Sequence, residues 1–418
     1  MDKLRIVGGQ RLQGAVAISG AKNAALPQIA ASLLSPEPLE LTNLPAVSDV
    51  ENMLGVIAQH GAEIGRQGGC VRIDASKASS RETSYDTVRK MRATVLVLGP
   101  LLARFGKAEV SLPGGCAIGA RPVDMHIKAL GQLGADIGIR GGSIVASAPQ
   151  GLTGARIVLG SPSVGATETV MMAATIAKGE TEIVNAAREP EVMDLASCLA
   201  AMGANIEGAG THRIMVQGGT SWRAATHHTI PDRIEAGTYA IAAAISGGQL
   251  ELTNARLEHM ASVVQVLEAA GVSVWPGDRG LIVSRDGPLT PVDITTEPYP
   301  GFPTDLQAQF MALMCCAAGA SLLRETVFEN RFMHVPELVR LGANITLQGT
   351  TALVRGGVPL RGAQVMATDL RASVSLVLAA LVAEGESIVN RVYHLDRGYE
   401  CLDRKLRMCG ATIERLPG

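Results

Sequence analysis

A phrase of the form Leu-x-x-x-Gly-Ala-x-Ile recurs six times along this chain. Its glycine falls at positions 61, 134, 203, 271, 342 and 410. The spacing is about 70 residues throughout, so six units account for all 418 residues. Each phrase follows a helical apolar pattern and precedes an alternating strand pattern, which places the glycine at a helix C-terminus. A second phrase comes before it: an Ala-rich helix, a glycine, then a β-branched run. Residues 169–178, Gly179 and 181–185 are one instance. Residues 236–246 with Gly247, and 372–384 with Gly385, are others. Each unit thus reads strand, helix, strand, helix, strands, the alternation of an α/β protein. One such unit cannot bury its own apolar faces and must pack on its neighbours. Single cores stop growing beyond ~250–300 residues, so the reading is two domains of three units each. The irregular stretch 218–232, with Trp222, His227, His228 and Pro231, marks the boundary.

Composition narrows the function. Apolar residues make up 47% and charged residues 18%, the balance of a folded globular chain. The net charge is −2 with no block of like charge, and there are only 2 Trp, 5 Tyr and 5 Phe. Nucleic-acid binding and membrane-surface binding are therefore not expected. No apolar run approaches the ~20 residues that span a bilayer, and the N-terminus runs straight into strand-like sequence. A soluble, cytoplasmic protein is the expectation. The seven cysteines contain no Cys-x-x-Cys pair, which speaks against a disulfide framework or a zinc site. Cys198, Cys315 and Cys316 lie in apolar helical patterns and read as core. His227-His228 has no nearby Cys or acidic partners in sequence, so no metal is expected.

The helix openings carry the polar residues. Ser163, Asp232, Asp305 and Asp369 stand where ordinary N-caps stand. Lys22, Arg92, Arg233 and Arg371 are read into the same first turns, where a cation opposes the helix dipole. A bound anion would remove that penalty, and four such cations at equivalent repeat positions point to a polyanionic ligand. The loop 112–124 sets Cys116 in a run of glycines, with Arg121 five residues on. A thiol on an open loop near a cation can be reactive; a glycine turn with an incidental cysteine is the alternative. Gly114 to Gly119 has Walker spacing, but Ala120 follows where Lys-Ser/Thr is required. Phosphate held by Lys and Arg side chains is the better reading.

Seven motifs stand in order: Ser19-Gly20-Ala21-Lys22-Asn23-Ala24; Pro113-Gly114-Gly115-Cys116-Ala117-Ile118-Gly119-Ala120-Arg121-Pro122; Glu189-Pro190-Glu191; Phe302-Pro303-Thr304-Asp305; Glu329-Asn330-Arg331-Phe332-Met333-His334; Ala367-Thr368-Asp369-Leu370-Arg371-Ala372; and Asp396-Arg397-Gly398-Tyr399-Glu400. Together they resemble the EPSP-synthase-like enolpyruvyl transferases, and within that family the UDP-N-acetylglucosamine 1-carboxyvinyltransferases of peptidoglycan synthesis. The resemblance covers essentially the whole chain. It implies two inside-out α/β barrel domains of three repeats each, with the active site in the cleft between them. It also assigns the N-terminal strand to the second domain, giving 22–230 as one domain and 1–21 plus 231–418 as the other.

The implied reaction moves the enolpyruvyl group of phosphoenolpyruvate to a sugar 3-hydroxyl and releases phosphate. Phosphoenolpyruvate is a co-substrate; no cofactor and no metal are implied. Cys116 matches the family's loop cysteine, a general acid that can also carry a phosphoenolpyruvate adduct and is the target of the epoxide fosfomycin. Asp305 matches the group that takes the sugar hydroxyl's proton. Lys22, Arg121 and Arg397 match positions that hold phosphoenolpyruvate, and Asn23, Arg92, Arg331, Asp369 and Arg371 match other cleft positions. Ser161, Pro162, Ser163, Val164 and Gly165, then Arg121, Pro122, Val123, Asp124 and Met125, then Val327, match segments that hold the nucleotide sugar. One departure is Leu96, where some relatives carry an aromatic. The glycine content of 113–121 suggests a lid that closes over the sugar nucleotide.

Three rivals remain at this point: the same chemistry on shikimate 3-phosphate, a non-catalytic nucleotide-sugar sensor, and an RNA-end-processing enzyme. The shikimate enzymes lack this cysteine loop. A sensor would lose Cys116, Asp305 or Arg397. The charge and the few aromatics count against RNA.

Overall fold

The structure is a computed structural model that describes residues 2–83, 85–88, 91–112 and 123–418. The chain divides into two compact units, one of residues 20–112 and 123–230, the other of residues 2–19 and 231–418. The crossings fall between residues 19 and 20 and between 230 and 231. Each unit has its own apolar core.

The repeat is visible in every element. Among the described residues, six four-stranded sheets share one order. In a representative copy, Arg156–Val158 lies parallel to Glu180–Val184, which pairs antiparallel with Arg213–Gln217, which in turn pairs with Asn205–Glu207. One helix of each repeat is buried almost all round. These are Lys22–Ala31, Leu98–Phe105 and Val164–Ala174 in the first unit, and Arg233–Ser246, Gln307–Cys316 and Ser373–Ala380 in the second. Their sequences are mostly small and apolar, as a helix enclosed on nearly all sides requires. The last three pack pairwise on one another. The sheets bury alternate residues against them; Leu4 and Ile6 point inward from Lys3–Val7, while Lys3 and Arg5 point out. Burying one Leu or Ile side chain contributes about 1.5–3 kcal/mol, so the repeat is held by its apolar faces rather than by surface ion pairs.

The six phrase glycines all have φ between +87° and +118°. Each ends an outer, one-face-buried helix, and the next residue's N–H reaches back five residues to a carbonyl. The pairs are Ala62 to Ile57, Ala135 to Leu130, Ala204 to Leu199, Val272 to Leu267, Ala343 to Leu338 and Ala411 to Leu406, at 2.9–3.3 Å. This is the Schellman closure, in which apolar residues flank a left-handed glycine. The recurring phrase is therefore the chemical signature of one helix stop used six times.

Three sheets are completed by distant chain. Lys3–Val7 inserts between Glu386–Asn390 and Thr412–Leu416, and Gln13–Ala17 lies parallel to Gln249–Thr253. In the other unit Ala225–His228 supplies the parallel edge beside Leu39–Thr42. That strand corrects the reading of 218–232 as wholly irregular. Its hydrogen-bond partner lies far upstream, so nothing local marks it. Within it, His227 Nε2 meets Asp194 Oδ1 at 2.9 Å, a structural contact that accounts for its imidazole.

Candidate active site

In the discontinuous unit, Pro303 leads into the 3-10 turn Thr304–Leu306, which opens the buried helix Gln307–Cys316. Asp305 does not cap that helix. Its Oδ1 accepts from Arg331 Nη2 at 2.6 Å, and its Oδ2 faces Arg371 Nε at 3.5 Å. The N-cap reading of Asp305 is thereby corrected: its carboxylate faces guanidinium groups. Arg331 is 4% exposed and donates its other arm, Nη1, to Thr304 Oγ1 at 3.1 Å. Arg371 is 3% exposed, faces Asp232 Oδ2 at 3.7 Å and lies over the Tyr399 ring. Burial alone would lower the pKa of Arg371; Asp232, Tyr399 and Asp305 outweigh it and hold the guanidinium above its ordinary value.

Arg371 is not in a helix first turn, as the sequence suggested. Ser373–Ala380 starts two residues later, because Asp369 Oδ1 accepts from the Arg371 and Ala372 amides at 2.7 and 2.8 Å and ties 369–372 into a capping turn. The N-cap expectation holds for Asp232, which takes the Ile234 and Glu235 amides, and for Ser163, which takes Ala166 N; Asp369 ties the turn ahead of its helix and is not the N-cap. Arg397 ends the turn Val392–Arg397, next to Gly398, whose carbonyl lies 3.5 Å from Arg371 Nη1. Val327 is placed by its amide, which donates to Glu325 Oε1 at 2.8 Å. Arg233 opens its helix and lies over the Tyr299 ring.

In the other unit Lys22 is the first residue of Lys22–Ala31, buried, with Nζ 3.5 Å from Asp49 Oδ2. Asn23 follows it, half-buried. Arg92 opens the 3-10 helix Arg92–Val97, and Asp124 and Met125 open Asp124–Gln132 after Val123. Directly after Met125, His126 is buried, with Nδ1 3.0 Å from Thr169 Oγ1. Burial, then Arg92, push it down to about 4 against the pull of Asp124, so the imidazole is neutral at neutral pH. The start of Val164–Ala174 abuts that ring. A Cβ on Gly165 would lie 3.2 Å from His126 Cε1, so glycine permits the approach. Ser161 and Pro162 are exposed just ahead of it. On the same helix Glu168 is buried, and its Oε1 has no hydrogen-bond partner among the described residues. Burial, then Glu191 and Glu189, raise its pKa well above the carboxylate range.

Cys116, Arg121 and Pro122 lie outside the described residues. Cys198 and Cys315 are buried as expected, while Cys316 is only partly so. Sequence reading missed Asp49, His126, Thr304 and Glu325. Their roles depend on which side chains meet in space; His126, directly after the 121–125 segment, and Thr304, in the motif of Asp305, lay beside marked positions. Among the described residues no group of three or more His, Cys, Asp or Glu could hold a metal, and no helix is long and apolar enough to cross a membrane.

Three repeats wrapped round buried helices in each unit, with buried cations set against carboxylates, are the architecture of an enolpyruvyl transferase. A family model for EPSP synthase (3-phosphoshikimate 1-carboxyvinyltransferase) matches residues 6–406, and the chain belongs to that family. It is 81% identical, over the whole of both chains, to UDP-N-acetylglucosamine 1-carboxyvinyltransferase 2 of Mesorhizobium japonicum. It is 60% identical to UDP-N-acetylglucosamine 1-carboxyvinyltransferase of Rhodospirillum centenum, covering 100% of this chain and 99% of that one. Among solved structures, the enolpyruvyl transferase NikO from Streptomyces tendae superposes with a TM-score of 0.90 at 28% identity, covering 100% of this chain and 99% of that one. EPSP synthase from Acinetobacter baumannii shares the fold, with a TM-score of 0.77 at 18% identity over the whole of both chains.

Proposed function

We propose that this protein transfers the enolpyruvyl group of phosphoenolpyruvate to the 3-hydroxyl of UDP-N-acetylglucosamine and releases phosphate, the first committed step of peptidoglycan precursor synthesis. The observation that carries this is the 81% identity, end to end, to a relative named for that reaction.

The chemistry balances without an oxidant or reductant. The sugar hydroxyl oxygen bonds to the enol carbon bearing phosphate while the neighbouring carbon gains a proton. Loss of a proton from that carbon then restores the double bond as the carbon–oxygen bond to phosphate breaks. Asp305 takes the hydroxyl proton; Arg331 fixes its Oδ1 by a charge-assisted hydrogen bond. Cys116 supplies the proton to the enol carbon, since an ordinary thiol of pKa ~8.5 is mostly protonated at neutral pH, and it can carry the adduct. Lys22, Arg121 and Arg397 hold phosphoenolpyruvate, and their charges stabilise phosphate as it leaves. Asn23, Arg92, Asp369 and Arg371 complete the polar surroundings. Ser161, Pro162, Ser163, Val164 and Gly165, with residues 121–125 and Val327, hold the nucleotide sugar. The protein acts on these small molecules in the cytoplasm, without nucleic acid or membrane as partner.

The family model's own description favours one second reading, transfer to shikimate 3-phosphate. Mass analysis of the sugar nucleotide after incubation with phosphoenolpyruvate tests the proposal. A product heavier by one enolpyruvyl group, formed one-for-one with phosphate, is expected; unchanged UDP-N-acetylglucosamine would refute it.

A further inference from the structure

Glu325 follows the strand Gly319–Arg324 and is 1% exposed. Four hydrogen bonds hold its carboxylate. Oε1 accepts from Thr296 Oγ1 at 2.8 Å and from the amides of Val327 at 2.8 Å and Phe328 at 3.1 Å. Oε2 accepts from Thr304 Oγ1 at 2.8 Å. A carboxylate is an expensive group to bury, and a loop turn alone could be tied by a neutral side chain. What the charge adds is direction. The Thr304 hydroxyl has one proton, and Glu325 takes it. Thr304 Oγ1 therefore offers only lone pairs to Arg331 Nη1, 3.1 Å away. That bond fixes one arm of the guanidinium fork, and the other arm is on Asp305 Oδ1 at 2.6 Å.

We propose that Glu325 is a positioning residue for the transfer reaction: through Thr304 and Arg331 it orients Asp305, and through the Val327 and Phe328 amides it shapes the segment that receives the nucleotide sugar. This rests on the reading of Asp305 as the proton acceptor. A base must lie within hydrogen-bond reach of the proton it takes, and a misplacement of about 1 Å can cost about 100-fold in rate. The relay acts on the orientation of Asp305, hence on turnover, and the amide arm acts on binding of the acceptor.

Two variants separate the arms. Thr304→Val removes the hydroxyl at nearly constant shape and leaves the amides on Glu325. In Glu325→Gln the three donors at Oε1 force the amide nitrogen toward Thr304, which reverses the polarity there. Steady-state phosphate release with phosphoenolpyruvate and UDP-N-acetylglucosamine is measured against pH, with thermal melting as the check on folding. Thr304→Val should lose about 10–100-fold in kcat, with KM for the sugar nucleotide nearly unchanged. The acid limb of its kcat profile should move to higher pH, because a carboxylate with a less well-aligned guanidinium is easier to protonate. Thr304→Ser should restore most of the rate, and Glu325→Gln should lower kcat and raise KM together. Wild-type kcat and pH profile in both Thr304→Val and Glu325→Gln, beside an inactive Asp305→Asn, would overturn the proposal while leaving the Asp305 reading intact. Failure of Thr304→Ser to recover activity would also overturn it. An Asp305→Asn protein with wild-type kcat would instead sink the reading of Asp305, and the proposal with it.

Discussion

The six helix stops make a quantitative test of how sequence sets this fold, and Gly134 and Gly203 are the informative pair. Both end outer helices of the same unit, at φ +96° and +118°. An alanine at either position must hold a conformation that L-residues avoid, at about 1–2 kcal/mol. The surroundings differ. A Cβ on Gly134 meets nothing within 4 Å, whereas one on Gly203 would lie 2.5 Å from the Ser221 carbonyl oxygen. That backbone must shift, and such overpacking adds about 1–3 kcal/mol. Gly134→Ala should therefore cost about 1–2 kcal/mol and Gly203→Ala about 2–5 kcal/mol. At about 2–4 °C per kcal/mol for a domain of this size, the melting temperature of the unit should fall by about 2–8 °C in the first and about 4–20 °C in the second. Differential scanning calorimetry, following the transition of this unit in both proteins, provides the measurement. A Gly134→Ala protein as stable as wild type would show that left-handed backbone is not what the recurring glycine supplies. Equal losses in the two proteins would show that the Ser221 contact does not matter.

Two further outcomes follow from single residues. The folded-state pKa of Glu168 is raised above its ordinary 4.5 by burial, then by Glu191 and Glu189, so the native state holds that proton more tightly than the unfolded chain. Stability from this group is complete below its unfolded pKa and is lost as pH rises toward its folded value; the melting-temperature difference between Glu168→Gln and wild type should grow in favour of the variant as pH rises above the ordinary 4.5, and a pH-independent difference would refute the assignment. A Cys116→Asp protein should keep an acid and lose the nucleophile, so it should turn over yet resist fosfomycin; equal inactivation of both proteins, followed by mass spectrometry, would contradict the role given to Cys116.

The helix stops were legible because a Schellman closure is local: an apolar residue, a glycine and another apolar residue fall within six positions, and each of the six copies carries them. Strand–helix alternation was legible for the same reason. Ala225–His228 was not, since an edge strand is made by its partner Leu39–Thr42 and not by its own composition. Resemblance assigned the N-terminal strand to the second domain, but the insertion of Lys3–Val7 between two strands from the far end of the chain was not read, because pairing across the whole length leaves no local trace. At the site, Lys22, Arg92 and Arg233 stand at helix openings as read, and Arg371 does not, because Asp369 draws two amides into a turn ahead of the helix. Asp305, Arg331 and Arg371 were each picked out by their motifs, but their pairing was not, and neither was Glu325, which sequence shows only as an acidic residue after a strand. Side-chain networks of this kind depend on rotamers and on residues tens of positions apart.

The most direct test of the functional account is phosphate release from phosphoenolpyruvate with either UDP-N-acetylglucosamine or shikimate 3-phosphate as acceptor. Release with the sugar nucleotide alone is the predicted result. Release with shikimate 3-phosphate alone, or with neither acceptor from folded protein that binds the sugar nucleotide, would contradict it.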